Sequence, residues 1–192
     1  MLSHHWARVI LLLVFLEGMV FYGPFAFIAS HVHRTLGLSL SRSGALVMLF
    51  GLGGFFFALS SRRLVPRLGE PGLAKWGGVL MSAALVAIAF GPTWWWALAG
   101  CFAAGLGFYM LHNTLQVNAT QMVPERRGAA VSAFAACFFL GQSVGVSLGG
   151  LLVGSVGTAA FLAFGAAGTL AVAVVFASRL RRRLVPASPW RP

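Results

Sequence analysis

Acidic side chains are scarce in this chain: aspartate is absent, and Glu17, Glu70 and Glu125 stand against 14 basic residues in a length of 192. With no aspartate, a serine hydrolase would lack the usual acid that orients its histidine. Charge of either sign is also thin, at 9% of residues, where a soluble domain carries about 25%. A chain that is 59% hydrophobic cannot cover itself with polar groups in water. Cysteine is limited to Cys101 and Cys137, both inside apolar runs, with no C-x-x-C spacing and no nearby histidine pair. They read as buried thiols acting as small hydrophobes, and neither a disulfide, a metal site nor a cofactor is expected. Period-two alternation is missing from the apolar runs, which excludes a membrane β-barrel. A net charge of +11 would suggest a nucleic-acid partner in a soluble protein. Here the basic residues form short clusters between apolar runs, the distribution of a membrane protein, so no nucleic-acid partner is expected.

Long apolar segments are what the sequence does contain. About 20 apolar residues in helical conformation cross the ~30 Å hydrocarbon core. Six stretches qualify, at about 9–29, 44–61, 73–90, 94–116, 129–153 and 158–178, predicting an all-α membrane protein of six transmembrane helices. The turns between them, 31–42, 62–72, 91–93, 123–128 and 154–157, are too short for a second domain, so residues 1–192 read as one transmembrane domain ending in a basic tail at 179–192. The 24 glycines suit membrane helices, where small residues let backbones approach closely. Arg8, preceding an apolar core, imitates a signal peptide, but the core is too long and lacks a clean cleavage site.

Basic residues resist translocation and so report orientation. One side of the six-span arrangement collects twelve of them, in clusters such as Arg62, Arg63 and Arg67 or Arg181, Arg182 and Arg183, while the other has Arg34 and Arg42 alone. This bias predicts that both termini are cytoplasmic. Trp94, Trp95 and Trp96 then fall at the outer interface, where an indole buries its ring and keeps its N–H among headgroups.

Glu17 lies near the middle of the first span, where a charge costs about 2.5–3.5 kcal/mol on insertion scales and commonly marks an ion or substrate path. Pro24 follows on roughly the same face and cannot donate to the Val20 carbonyl, which loosens the helix beside the carboxyl. These features suggest a proton or cation site; the plainer alternative is a protonated carboxyl hydrogen-bonded to a neighbouring helix. In the fourth span, His112, Asn113 and Gln116 are spaced to share a helix face. His112 can titrate near neutral pH, so the patch reads either as a proton relay and substrate contact or as interhelical hydrogen bonding. Gly141, Gly145 and Gly149, at four-residue spacing in the fifth span, predict a groove for close helix packing. Gly141, Ser143 and Gly145 also satisfy G-x-S-x-G, but that pattern means a hydrolase only at a strained strand-to-helix turn. No enzyme is expected, an intramembrane hydrolase pairing Ser143 with His112 being the weakest reading. Asn118 to Thr120 fits the glycosylation pattern on the cytoplasmic side, where it carries no meaning.

Arg62-Arg63-Leu64-Val65-Pro66-Arg67-Leu68-Gly69 resembles the loop signature G-R-L-A-D-R-F-G of the major facilitator superfamily, with Leu64, Arg67 and Gly69 matching. Pro66 stands where the signature has Asp, which removes an acidic partner for the neighbouring arginines and weakens the case for a latch at this loop. His112-Asn113-Thr114-Leu115-Gln116 and Pro124-Glu125-Arg126-Arg127-Gly128-Ala129, leading into Gly141-Gln142-Ser143, resemble C-terminal halves of bacterial efflux permeases in that family.

The resemblance implies one six-helix half built as a three-plus-three inverted repeat, with substrate bound near the midplane between two halves. It implies alternating-access, proton-coupled transport or efflux of a small solute in a bacterial plasma membrane, with Glu17 carrying the proton. His112, Asn113, Gln116 and Gln142 would line the path, and a second half, either another copy or a separate chain, would complete the cavity. A truncated half acting as a non-transporting scaffold or remnant is the other reading.

Overall fold

The computed structural model describes residues 5–184, and helix is the regular structure throughout. Residues 185–192, including Arg191 of the expected basic tail, lie outside the described residues, whereas residues 179–184 are the last turns of a helix. The elements are α1 (His5–Glu17), a π-helical turn (Gly18–Tyr22), α2 (Gly23–Phe25), α3 (Ile28–Leu36), α4 (Leu40–Phe90), α5 (Trp94–Gln121), a 3-10 turn (Pro124–Arg126) and α6 (Arg127–Leu184). Among the described residues, four stretches are long and apolar enough to cross a membrane: His5–Leu36, Leu40–Phe90, Trp94–Gln121 and Pro124–Arg183.

Two of these are too long to be single rods. Run straight, the 51 residues of α4 would measure about 76 Å at 1.5 Å per residue, more than twice the hydrocarbon core. A glycine divides each. Gly69 has φ 60° and ψ 174° within α4, and Gly157 has φ 81° and ψ 161° within α6. This region of backbone space is essentially reserved for glycine, so the chain turns there without a loop. The resulting arms are residues 40–68 and 70–90 of α4, and 127–156 and 158–184 of α6.

Helix therefore replaces much of what the sequence suggests is loop. Residues 31–36 continue the first helical segment, and residues 62–68, including Leu64 and Arg67 of the loop signature, continue the first arm of α4. Pro66 and Pro71 lie within this helical stretch. Leu64 packs on Phe57, Leu73 and Met110, while Arg62, Arg63 and Arg67 are exposed. Between the arms of α6, the single residue Gly157 departs from helical geometry, in place of a four-residue turn. The turn at 91–93 is present as an extended connection between Phe90 and Trp94.

Four of the close approaches use one local pattern: Phe15-Leu16-Glu17-Gly18, Phe50-Gly51-Leu52-Gly53, Phe102-Ala103-Ala104-Gly105 and Phe138-Phe139-Leu140-Gly141. A Cβ at Gly18 would strike the Phe138 carbonyl, and one at Gly141 would strike the Phe15 carbonyl. Likewise a Cβ at Gly53 would strike the Phe102 carbonyl, and one at Gly105 the Phe50 carbonyl. Each pair is reciprocal, each glycine lying against the phenylalanine carbonyl of its partner. Gly145 sits similarly against the Met19 carbonyl, while Gly149 faces the rings of Phe27 and Phe161. Two backbone-to-backbone crossings thus join α1 to the first arm of α6 and the first arm of α4 to α5. Because a bilayer offers no hydrophobic driving force between helices, such packing of small residues is a principal source of helix association there.

At one end of the bundle, the guanidinium of Arg183 lies 4.2 Å from the centroid of the Trp6 ring, which stacks on Phe176. The first and last described turns of the chain therefore share an end. Arg42 and Trp94 line a common cavity at the opposite end.

Candidate functional site

Glu17 is the last residue of α1, and the backbone changes character immediately after it. The Gly23 N–H donates to the Gly18 carbonyl, a five-residue step that widens the helix into a π turn. Single π turns recur at functional sites because they re-aim the flanking side chains. Pro24 follows at the start of α2, and the chain resumes as α3 only at Ile28.

The Glu17 carboxyl is fully buried and meets a histidine from α5: His112 Nδ1 lies 2.8 Å from Glu17 Oε2, with the His112 side chain 16% exposed. Both atoms would be acceptors if unprotonated, so this distance requires a proton between them. The second carboxyl oxygen, Oε1, is buried and has no hydrogen-bond partner among the described residues. Aromatic rings close over the imidazole, Phe108 stacking at 4.6 Å with Phe138 at 4.8 Å and Phe134 at 5.2 Å. Tyr22, from the π turn, packs edge-on against Phe108 and Phe138. The pair consequently sits in an apolar, aromatic shell, with the Glu17 carboxyl buried and the His112 ring partly exposed.

The remaining residues of the sequence-predicted path do not converge on the carboxyl. His112 and Gln116 are one turn apart, but His112 turns inward to Glu17 while Gln116 is exposed and Asn113 is half-buried. Gln142 lines an open groove of about 460 Å³ with Phe139, Ser143, Val146 and Ser147 along the first arm of α6. Ser143 Oγ donates to the Phe139 carbonyl at 2.9 Å within its own helix and is exposed, while His112 is engaged with Glu17. No nucleophile–base pair forms between them. Among the described residues, no group of three His, Cys, Asp or Glu side chains gathers as a metal site.

Two polar ties near the ends of the bundle have no counterpart in the expectations above. His31 Nδ1 and Thr158 Oγ1 are 2.7 Å apart, and His31 Nε2 lies 3.1 Å from the Ile88 carbonyl. Asn118 Nδ2 donates to Glu70 Oε2 at 2.8 Å and to the Thr114 carbonyl at 3.0 Å. In each tie one partner directly follows a hinge glycine, Thr158 after Gly157 and Glu70 after Gly69. Without the fold, nothing marks those glycines as hinges.

A multi-pass helical bundle crossed by backbone-close glycine contacts, with one buried carboxylate–imidazole pair at its centre, has the build of a membrane transporter. The Major Facilitator Superfamily family model matches residues 10–192, and the chain belongs to that family. That family is one of membrane transporters. A relative, the uncharacterized MFS-type transporter YceJ of Bacillus subtilis (strain 168), is 30% identical over 148 residues, a stretch covering 75% of this chain and 37% of the relative. The chain spans well under two thirds of the relative it matches.

Proposed function

We propose that the chain forms one six-crossing half of a secondary transporter that moves a small solute by alternating access, and that Glu17 and His112 carry the coupled proton together. The observation that carries this reading is the 2.8 Å approach of His112 Nδ1 to Glu17 Oε2 with Oε1 left unpartnered in a buried, aromatic setting. Two interacting sites of this kind gain and lose protons as a pair. His112, partly exposed, is the route by which a proton reaches the carboxyl.

Six crossings are supported by the two glycine hinges, which divide four apolar helices into six arms of membrane-spanning length. A three-plus-three repeat is supported by numbering. Phe102 and Gly105 follow Phe15 and Gly18 by 87 residues, while Phe138, Gly141 and Gly157 follow Phe50, Gly53 and Gly69 by 88, and the equivalent positions make equivalent contacts. The arginine-rich end is assigned to the cytoplasm on charge asymmetry, in a bacterial plasma membrane. Gln116, Asn113, Gln142 and Ser143 are then accessible polar groups of the translocation path, which a second six-helix half would close.

Light scattering on the purified protein, corrected for bound detergent, tests the assembly: a dimer or a stoichiometric partner is expected, and a bare monomer would point to a non-transporting half. In proteoliposomes loaded with a pH-sensitive dye, solutes from a panel are expected to discharge an imposed pH gradient in the wild type and not in Glu17→Gln. Unchanged pH dependence in that variant would remove Glu17 from coupling.

A further inference from the structure

The arginine-poor end of the bundle, which holds Arg34 and Arg42, has a cavity that the residues assigned to proton and solute movement do not line. Its volume is about 360 Å³, and Leu38, Arg42, Ala45, Leu46 and Trp94 form its walls. It lies where two helices begin. Gly37, at φ 67°, ends α3 in the left-handed conformation, and Ser39 then caps α4, its hydroxyl accepting from the Arg42 backbone N–H at 3.3 Å. Arg42, Ala45 and Leu46 stand at i, i+3 and i+4 in the first turns of α4 and so share one helix face. Trp94, the first residue of α5, supplies the facing wall.

Apart from one cation, the lining side chains are apolar. The Arg42 side chain is exposed and forms no ion pair among the described residues. Acids are remote from it: Glu17 is engaged with His112 at mid-bundle, and Glu70 and Glu125 lie toward the other end. An anion in the cavity therefore meets attraction without repulsion. Neighbouring indoles mark its depth in the bilayer. Trp94 stacks on Trp95 with 3.7 Å between ring centroids, and Trp95 and Trp96 are exposed. Exposed tryptophans at the start of a membrane helix sit at headgroup level. From Arg42 the α4 wall runs to Leu46, about 6 Å along the helix, so the cation stands at headgroup depth above an apolar slot. One guanidinium over apolar walls cannot orient a solute with many polar groups, but it matches an amphiphile whose single anionic group tops a hydrocarbon body. A phosphate suits the guanidinium well, because two N–H groups can face two of its oxygens.

We propose that this cavity binds one anionic phospholipid, with the phosphate on Arg42 and an acyl chain along Ala45, Leu46 and Trp94. The bilayer presents such a molecule at the right depth, with its charge at the headgroups and its chains directed into the hydrocarbon. Bound there, the lipid spans the start of α4 and the start of α5, which otherwise meet most closely at the Gly53 and Gly105 crossing. The site is separate from the Glu17–His112 pair and does not depend on how the chain transports. At the opposite end, the clustered arginines attract anionic headgroups by charge alone, so the test must read the cavity itself.

Fluorescence of Trp94 provides that reading once the other tryptophans are replaced, by Trp6→Phe, Trp76→Phe, Trp95→Phe, Trp96→Phe and Trp190→Phe in the full chain. In phosphatidylcholine nanodiscs carrying a small, equal mole fraction of one brominated lipid, phosphatidylglycerol is expected to occupy the site about fivefold more than phosphatidylcholine, as read from quenching. Arg42→Gln in this background should bring phosphatidylglycerol down to the phosphatidylcholine level, whereas Arg34→Gln, outside the cavity, should keep the preference. Equal quenching by the two lipids, or an equal loss in both arginine variants, would overturn the proposal, the latter by showing diffuse attraction. Ala45→Phe keeps the arginine and fills the slot, so it too should abolish the preference; a preference that survived it would show that no acyl chain enters. Brominated stearate should quench less than phosphatidylglycerol, and quenching that matched it would make the occupant a free fatty acid and end the phospholipid assignment. Failure of Glu17→Gln to alter transport would leave these results untouched, since they read lipid contact at Trp94 and not solute flux.

Discussion

His112 Nδ1 and Glu17 Oε2 stand 2.8 Å apart although their residues are 95 positions apart in sequence. Each is placed by its neighbours and not by its own preference. Glu17 occupies the third position of a Phe-x-x-Gly pattern, so the carboxyl is held at the crossing where α1 comes closest to α6. His112 is held by the stacked ring of Phe108, one turn earlier on α5.

Removing the two partners should have unequal effects on stability. Glu17→Gln keeps an oxygen and an amide for His112 and should lower stability little. His112→Ala leaves a buried carboxyl without a partner on either oxygen and should cost about 1–3 kcal/mol. Thermal unfolding midpoints in one detergent, compared across the two variants, check the order.

The reciprocal glycines should be intolerant of any side chain. Gly18→Ala, Gly53→Ala, Gly105→Ala and Gly141→Ala each push a methyl into a backbone carbonyl of the facing helix. Each should destabilise by about 1–3 kcal/mol or displace the pair of helices. Gly51→Ala, where a Cβ meets nothing within 4 Å, is the control and should be neutral or slightly stabilising. Unfolding midpoints of the five variants, measured together, decide it.

The hinges should behave differently from the crossings. A Cβ at Gly157 meets nothing within 4 Å, and at Gly69 only the Pro71 ring at 3.8 Å, so alanine there suffers from backbone conformation and not from crowding. Gly69→Ala and Gly157→Ala should each lose about 1–3 kcal/mol. Because space is available, Gly69→Ser should lose about as much as Gly69→Ala; a loss that grew with side-chain size would show crowding instead.

The tie at the arginine-rich end should depend on hydrogen bonding. Asn118→Leu leaves Glu70 without its amide donor and should destabilise by about 1–2 kcal/mol, whereas Glu70→Gln retains an acceptor for Asn118 and should cost less. A double-mutant cycle on unfolding midpoints isolates the coupling between the two residues.

Long apolar runs, a near absence of acids and the clustering of arginine determined, from sequence alone, that this is a multi-pass helical membrane protein, and they singled out Glu17 as anomalous. Such properties are additive along the chain, because the bilayer asks the same question of each segment independently. Membership in a transporter family was likewise legible in local motifs. Tertiary structure alone decided that Glu17 meets His112 and that Gln116 does not, since both choices depend on how α5 is rotated against α1. It decided that Gly69 and Gly157 turn the chain within continuous helix where loops are expected, because a positive φ is a property of the folded path. It also decided that Phe-x-x-Gly recurs as two reciprocal crossings and that His31 meets Thr158 while Asn118 meets Glu70. Each of these joins positions dozens of residues apart, and no local pattern records which distant carbonyl or side chain will occupy the space a glycine leaves open.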